Sequence, residues 1–343
     1  MNKKCYVIGV FPPPYGGVTI KCKLFEQFLD DEGYIVDSID IYKISKGPKA
    51  AACTLSRCFK AFRSGSNIVY CLDTKRLRLL LNIQRFFKKS LGNTTVLAVG
   101  GVFHEIVSKD ASLKRNLQHV KGLWVETDGM KNKLREMGLN NVEVFPNPKS
   151  EIGSCAPQKS VKSSPLKLVY FSQISTFKGA DSVMDMVGIL NERYPDVSFT
   201  IDFYGHVLPE FKNEFEKFVD STPNVQYCGV FDATKASVYV QLNSYDLLLF
   251  PTTWYAEGVP GILVEAKMAG ISVIASDRSF NNEIIREENK EGFLVKQNYG
   301  EEMATIVHTC FTNRELLNET KSGSYDSKER YSLRAYKDML ALL

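Results

Sequence analysis

The stretch YDLLLFPTTWYAEGVPGILVEAKMAGISVIAS, Tyr245 to Ser276, decides the fold of this chain. Its opening residues, Tyr245 to Phe250, make an apolar run that stops at Pro251, the pattern of a strand buried on both faces. A loop follows. Pro260 then suits the first position of a helix, and Ile262, Ala266 and Ala269 recur on one face of it until Gly270 ends the helix. Ile271 to Ser276 supplies the next strand. This order predicts a parallel sheet with the loop at its carboxyl edge, where open α/β sheets bind ligands.

Two carboxylates stand at that junction, Glu257 on the loop and Glu265 on the helix. The amides of Gly261 and Ile262 open the helix, and unpaired donors at the positive end of a helix dipole favour a phosphate. A carboxylate in the same place repels one. Glu265, four residues past Gly261, lies about 6 Å further along the same face, a distance that suits ribose hydroxyls. Two hydrogen bonds from a vicinal diol to this carboxylate fix a nucleoside while the amides hold its diphosphate. Glu257, with Gly258 and Val259 beside it, then faces the sugar.

These residues resemble the E-x7-E signature of retaining glycosyltransferases of the GT-B fold, in particular glycosyltransferase family 4, and the likeness runs along almost the whole chain. Phe11-Pro-Pro-Pro-Tyr-Gly-Gly-Val follows a short strand, Tyr6 to Val10, and its Gly16 and Gly17 are similar to the family's glycine loop near the donor phosphates. Phe145-Pro-Asn-Pro resembles the family's interdomain exit. Lys178-Gly179, after the strand Lys167 to Ser172, resembles a Lys-Gly pair whose lysine contacts the donor diphosphate; it opens a periodic helix bearing Val183, Met186, Val187 and Leu190. By the same likeness the loop near Gly229 lies by the nucleobase. The resemblance implies an α/β, GT-B architecture of two facing doubly wound Rossmann-like domains with an interdomain cleft. It implies a hexosyltransferase-type enzyme that moves a sugar, with retention, from a nucleoside diphosphate donor such as a UDP-sugar to an acceptor hydroxyl. Lys178 and the helix amides stabilise the leaving diphosphate, and Glu257 orients the sugar without attacking it.

Two positions depart from the family pattern. The arginine usual five residues before the lysine is Gln173, which donates to a phosphate oxygen without a charged fork. In Val99-Gly100-Gly101-Val102-Phe103-His104 the histidine that often precedes the glycines is absent, and His104, one turn further on, is the catalytic candidate in its stead.

Length and composition agree with two domains: 343 residues at 44% hydrophobic exceed what one core usually supports. The domains are expected at 1–150, which the resemblance makes the acceptor side, and at 160–330, the donor side. Ser150 to Pro165, rich in serine, lysine and proline, is the linker, and an apolar helix, 331–343, returns by resemblance to complete the first domain. Residues 1–150 carry 24 Lys and Arg against 13 Asp and Glu, while the remainder carries 19 against 26. A basic first domain fits a partner of negative charge. The excess concentrates at Lys75, Arg76, Arg78, Arg85, Lys88 and Lys89, beside Leu79, Leu80, Ile83, Phe86 and Phe87 at helical spacing, as in an interfacial helix on an anionic membrane surface.

The expected acceptor is a lipid-linked saccharide of a bacterial surface polysaccharide (O-antigen, capsule or exopolysaccharide). The expected location is cytoplasmic, peripheral on the inner face of the cell membrane, because no run approaches the roughly 20 apolar residues of a spanning helix. Eight scattered cysteines read as reduced thiols. Four histidines without ligand spacing, together with the resemblance, imply no metal and no cofactor beyond the donor substrate. No nucleic-acid module is present. Two other functions stay open: a sugar-nucleotide epimerase or hydrolase of the same fold, and a non-enzymatic sugar-nucleotide sensor.

Overall fold

The structure, a computed structural model, describes residues 4–13 and 16–343. Among the described residues, twelve strands form two sheets. The first sheet is built from β1 (Lys4–Gly9), β2 (Ile35–Asp40), β3 (Asn67–Cys71), β4 (Thr94–Leu97), β5 (Gly122–Val125) and β6 (Val142–Val144), in the order β2-β1-β3-β4-β5-β6. The second holds β7 (Leu166–Phe171), β8 (Phe199–Tyr204), β9 (Val225–Gly229), β10 (Leu247–Phe250), β11 (Ser272–Ser276) and β12 (Phe293–Val295), in the order β12-β11-β10-β7-β8-β9. Every pairing is parallel. Helices alternate with the strands, as the doubly wound reading requires.

The chain divides into two compact units, one of residues 1–149, 256–260 and 332–343, the other of 150–255 and 261–331. In the second sheet the chain runs outward through β7, β8 and β9, returns to lay β10 against β7, and continues to β12. This reversal separates the carboxyl ends of β7 and β10, the place where open sheets leave a crevice for a ligand. The burial is as expected for strands covered on both sides: all residues of β10 and β11 are buried. Val183, Met186, Val187 and Leu190 of the helix Ala180–Arg193 are buried in the same core.

Several local expectations are corrected. The helix after Pro260 runs Gly261–Ala269 and is buried on most sides, with Leu263, Val264, Ala266, Lys267, Met268 and Ala269 all inside. Its end is a Schellman turn: Ile271 N–H donates to the Ala266 carbonyl and Gly270 N–H to that of Lys267, with Gly270 at φ +63°. Ser150 to Pro165 is docked on the second unit. Cys155 N–H donates to Met268 O at 2.8 Å, Ser160 N–H to Asn318 Oδ1 at 2.8 Å, and Asn243 Nδ2 to Ala156 O at 2.9 Å. Side-chain amides and the Met268 carbonyl satisfy this backbone, an anchorage that leaves no apolar period in the sequence.

The closing helix expected at 331–343 is instead three short 3₁₀ pieces, Ser327–Tyr331, Leu333–Tyr336 and Asp338–Leu342. Ser332 interrupts it, capping Arg334 N–H and bridging to Lys149. The last two pieces belong to the first unit, where Tyr34 donates to Leu340 O at 2.8 Å and the Tyr336 ring meets that of Phe145.

The basic helix expected over 75–89 is also broken, into Thr74–Gln84 and Lys88–Leu91. Gln84 faces inward and bonds to Tyr70, Ser90 and Thr94, so its register holds Leu77, Leu80 and Leu81 in the core. Leu79, Ile83 and Phe86 point to solvent.

Candidate functional site

At the carboxyl end of β7 the chain turns through Gln173, which is exposed, into a 3₁₀ turn, Thr176–Lys178, and the helix that begins at Ala180. Tyr170 fixes this turn from below: its hydroxyl lies 2.8 Å from the carbonyl of Gln173 and 3.1 Å from that of Lys178. Gly179 sits at φ +75°, and a Cβ there meets the Pro251 carbonyl. Only glycine allows so close an approach in that conformation.

Loop Pro251–Tyr255, which leaves β10, is tied to the same turn. Thr253 N–H donates to Phe177 O at 3.0 Å, and the Thr252 and Thr253 hydroxyls lie 3.2 and 3.3 Å from it. The two loops at the sheet's reversal point are therefore one assembly, with Lys178 on one and the glutamate-bearing segment following the other. Phe177 and Trp254 meet edge to face at 5.8 Å, and Tyr255 packs on Trp254 at 5.3 Å.

The helix Gly261–Ala269 follows. Gly261, Ile262 and Glu265 are its half-exposed residues, one strip at i, i+3 and i+4 spacing. Tyr239 lies beside Glu265: burial, and then the charge of Glu265, push the Tyr239 phenol above its ordinary value, and its hydroxyl donates to Ser150 O at 3.0 Å. The neighbouring edge is built by glycines. Gly205 N–H donates to Gly229 O at 2.9 Å, Gly229 stands at φ +76°, and a Cβ on Gly205 meets Ser172 O.

In the first unit, Ala256–Pro260 carries Glu257, half-exposed, with Gly258 and Val259 buried. Gly101 N–H donates to Ala256 O at 3.0 Å. Gly16 precedes the helix Gly17–Asp31, and its N–H is capped by Thr19 Oγ1 at 3.0 Å. Among the described residues, a Cβ on Gly16 or Gly17 meets nothing within 4 Å. His104 is buried, with Lys133 Nζ 3.3 Å from its Nε2; burial, then the Lys133 charge, lower its pKa.

Lys75, Arg76, Arg78, Arg85 and Lys89 are exposed; the side chain of Lys88 lies outside the described residues. Arg76 pairs with Asp73, and Arg78 with Asp110 at 2.9 Å. Sequence reasoning missed Tyr170, Tyr239 and Glu126. Tyr239 and Glu126 act across elements far apart in the chain, Tyr170 acts on the turn that follows its own strand, and none sits in a motif.

Residues 165–313 match the family model described as glycosyl transferases group 1. An uncharacterized glycosyltransferase of Haemophilus influenzae is 25% identical over 213 residues, which cover 62% of this chain and 55% of that protein; the match thus spans little more than half of the relative. Among solved structures, sucrose-phosphate synthase from Thermosynechococcus elongatus aligns over 100% of both chains at TM-score 0.72 and 13% identity. HepE of Anabaena in complex with UDP-glucose aligns over 98% of both at 0.68 and 14%. TarM of S. aureus covers 84% of this chain and 58% of its own at 0.62 and 17%. The architecture is GT-B, two six-stranded parallel α/β units, and the stretch that matches the group 1 glycosyl transferase model lies in the second of them.

Proposed function

We propose that the protein is a retaining glycosyltransferase of family 4 type that moves a sugar from a UDP-sugar to an acceptor hydroxyl without a metal ion. The carrying observation is the assembly at the β7–β10 reversal point, where the Lys178 turn is cross-tied to the loop after β10 and the next helix exposes Gly261, Ile262 and Glu265 together. The group 1 domain match over the same residues, and UDP-glucose in the complex of HepE, support it.

In this reading Glu265 accepts the ribose hydroxyls, the amides at the helix start meet the diphosphate, and Gln173 and Gly229 border the donor. As the diphosphate departs, negative charge grows on its oxygens. Lys178 and the helix amides then bind more strongly than in the ground state, which is what lowers the barrier. Glu257 orients the sugar, and a leaving phosphate oxygen takes the proton of the hydroxyl arriving on the same face.

The acceptor we assign is a lipid-linked saccharide of bacterial surface polysaccharide synthesis, met at the inner face of the membrane. No helix among the described residues is long and apolar enough to cross a membrane. The exposed cations at Lys75, Arg76, Arg78, Arg85 and Lys89, with Leu79, Ile83 and Phe86 between them, suit contact with an anionic lipid surface.

The test is incubation with labelled UDP-, GDP- and ADP-sugars, with and without a lipid extract, in EDTA. Transfer of label from a UDP-sugar to lipid, with the anomeric configuration kept, is expected. Free sugar or an isomerised donor without any acceptor product identifies a hydrolase or epimerase, and donor bound but unchanged identifies a sensor.

A further inference from the structure

The segment Ala256–Pro260 carries Glu257, yet its backbone is held by three other stretches of the first unit. Gly101 N–H donates to Ala256 O at 3.0 Å, Asn147 Nδ2 to Val259 O at 3.0 Å, and Val259 N–H to Glu126 Oε2 at 2.9 Å. The packing is flush. A Cβ on Gly101 falls onto Glu257 O, and one on Gly258 falls onto Glu126 Oε2.

Glu126 lies just past β5 and is 5% exposed. Its other oxygen takes a 2.7 Å hydrogen bond from Lys21 Nζ, also 5% exposed, and Lys21 donates again to Ala98 O at 3.1 Å. A purely structural ion pair needs only the Lys21 side of this carboxylate. The second oxygen instead receives an amide two residues after Glu257, a charge-assisted bond stronger than a neutral one. Because both oxygens are engaged and both side chains are buried, the carboxylate has no room to swing, and neither has the amide it holds.

We propose that Glu126, fixed by Lys21, is a positioning residue for Glu257, holding segment 256–260 in the register from which Glu257 meets the sugar. Its catalytic meaning deepens, and rests on, the transferase reading above. Lys178 and Glu265 belong to the second unit, so loss of Glu126 separates sugar orientation from nucleotide binding.

The experiment compares wild type with Glu126→Ala and with K21M/E126Q, by amide hydrogen exchange over 256–260, by UDP titration and by steady-state kinetics. Expected for Glu126→Ala are at least tenfold faster exchange in that segment, kcat lower by tenfold or more, and UDP affinity within twofold of wild type. Unchanged exchange, or unchanged kcat with only a lower melting temperature, overturns the proposal, as does an equal loss of UDP binding. Should Glu126→Ala not fold, K21M/E126Q removes both charges with little change in volume and carries the same expectations at several-fold size. If wild type turns over no sugar nucleotide, the transferase reading falls, and exchange alone decides whether Glu126 holds the segment.

Discussion

At the scale of the residue, the proposed function gives the carboxylate of Glu265 and the ammonium of Lys178 different work. A charge-assisted hydrogen bond contributes about 1.5–3 kcal/mol, so Glu265→Ala is expected to weaken UDP binding roughly 10- to 100-fold in calorimetry. Unchanged affinity removes the ribose from this carboxylate. In the same proposal Lys178→Ala removes a charge that matters most as the diphosphate departs, so kcat is expected to fall by about 10²–10³, with a smaller change in UDP affinity. His104 behaves otherwise. Its lowered pKa means the folded protein binds the proton less readily than the unfolded chain. Its contribution to stability is therefore complete above about pH 6.5 and is lost as pH falls through the lowered folded value. Urea unfolding at pH 7.5 and 5.5 is expected to show a smaller acid loss in His104→Gln than in wild type. Glu257, Glu265 and Lys178 were singled out in the sequence by their resemblance to family motifs and by their places beside a glycine or a helix start. Glu126 was not, because its partners Lys21 and Val259 meet it only once the chain has folded.

At the scale of the element, the helix Gly261–Ala269 is held by one interior charge. Lys267 is 0% exposed and pairs with Glu291 at 3.0 Å and with Ser327 Oγ at 2.7 Å, while burial lowers its pKa to about 8. Arg330 also pairs with Glu291 and retains part of the compensation when the lysine is lost. Breaking a buried pair by removing one partner costs roughly 3–5 kcal/mol, so Lys267→Ala is expected near the lower end of that range in denaturant titration. Helical periodicity assigns position 267 no inward role; the neighbouring turn that receives it supplies the reason. Gly179 sits in the left-handed region against the Pro251 carbonyl. Gly179→Ala is therefore expected to destabilise the protein by about 1–3 kcal/mol and to lower kcat by displacing Lys178, both measurable on one preparation. The break between Gln84 and Lys88 shows the limit of a periodic reading. Leu80 and Phe87 share the helical spacing of Leu79, Ile83 and Phe86, but the register set by Gln84 sends Leu80 into the core and leaves Phe86 76% and Leu79 59% exposed.

At the scale of the whole molecule, the charge surplus of residues 1–150 and this exposed apolar strip predict salt-sensitive binding to vesicles of anionic phospholipid. The double substitution L79E/F86E is expected to weaken sedimentation with such vesicles tenfold or more while leaving UDP affinity unchanged; equal sedimentation with and without it assigns the strip another role. The sequence alone determined the α/β class and the strand-helix-strand run through Tyr245 to Ser276, because alternating buried strands, helix starts and glycine turns are local properties with local signatures; the candidate donor residues rested on the family resemblance as well. Only the tertiary structure decided that the Lys178 turn and the loop after β10 are tied into one assembly, that Ala256–Pro260 packs with the first unit, and that 332–343 closes as 3₁₀ turns. These outcomes depend on hydrogen bonds between residues 75 or more positions apart, such as Thr252 with Phe177, Glu126 with Val259 and Tyr34 with Leu340, and no window of sequence contains both partners.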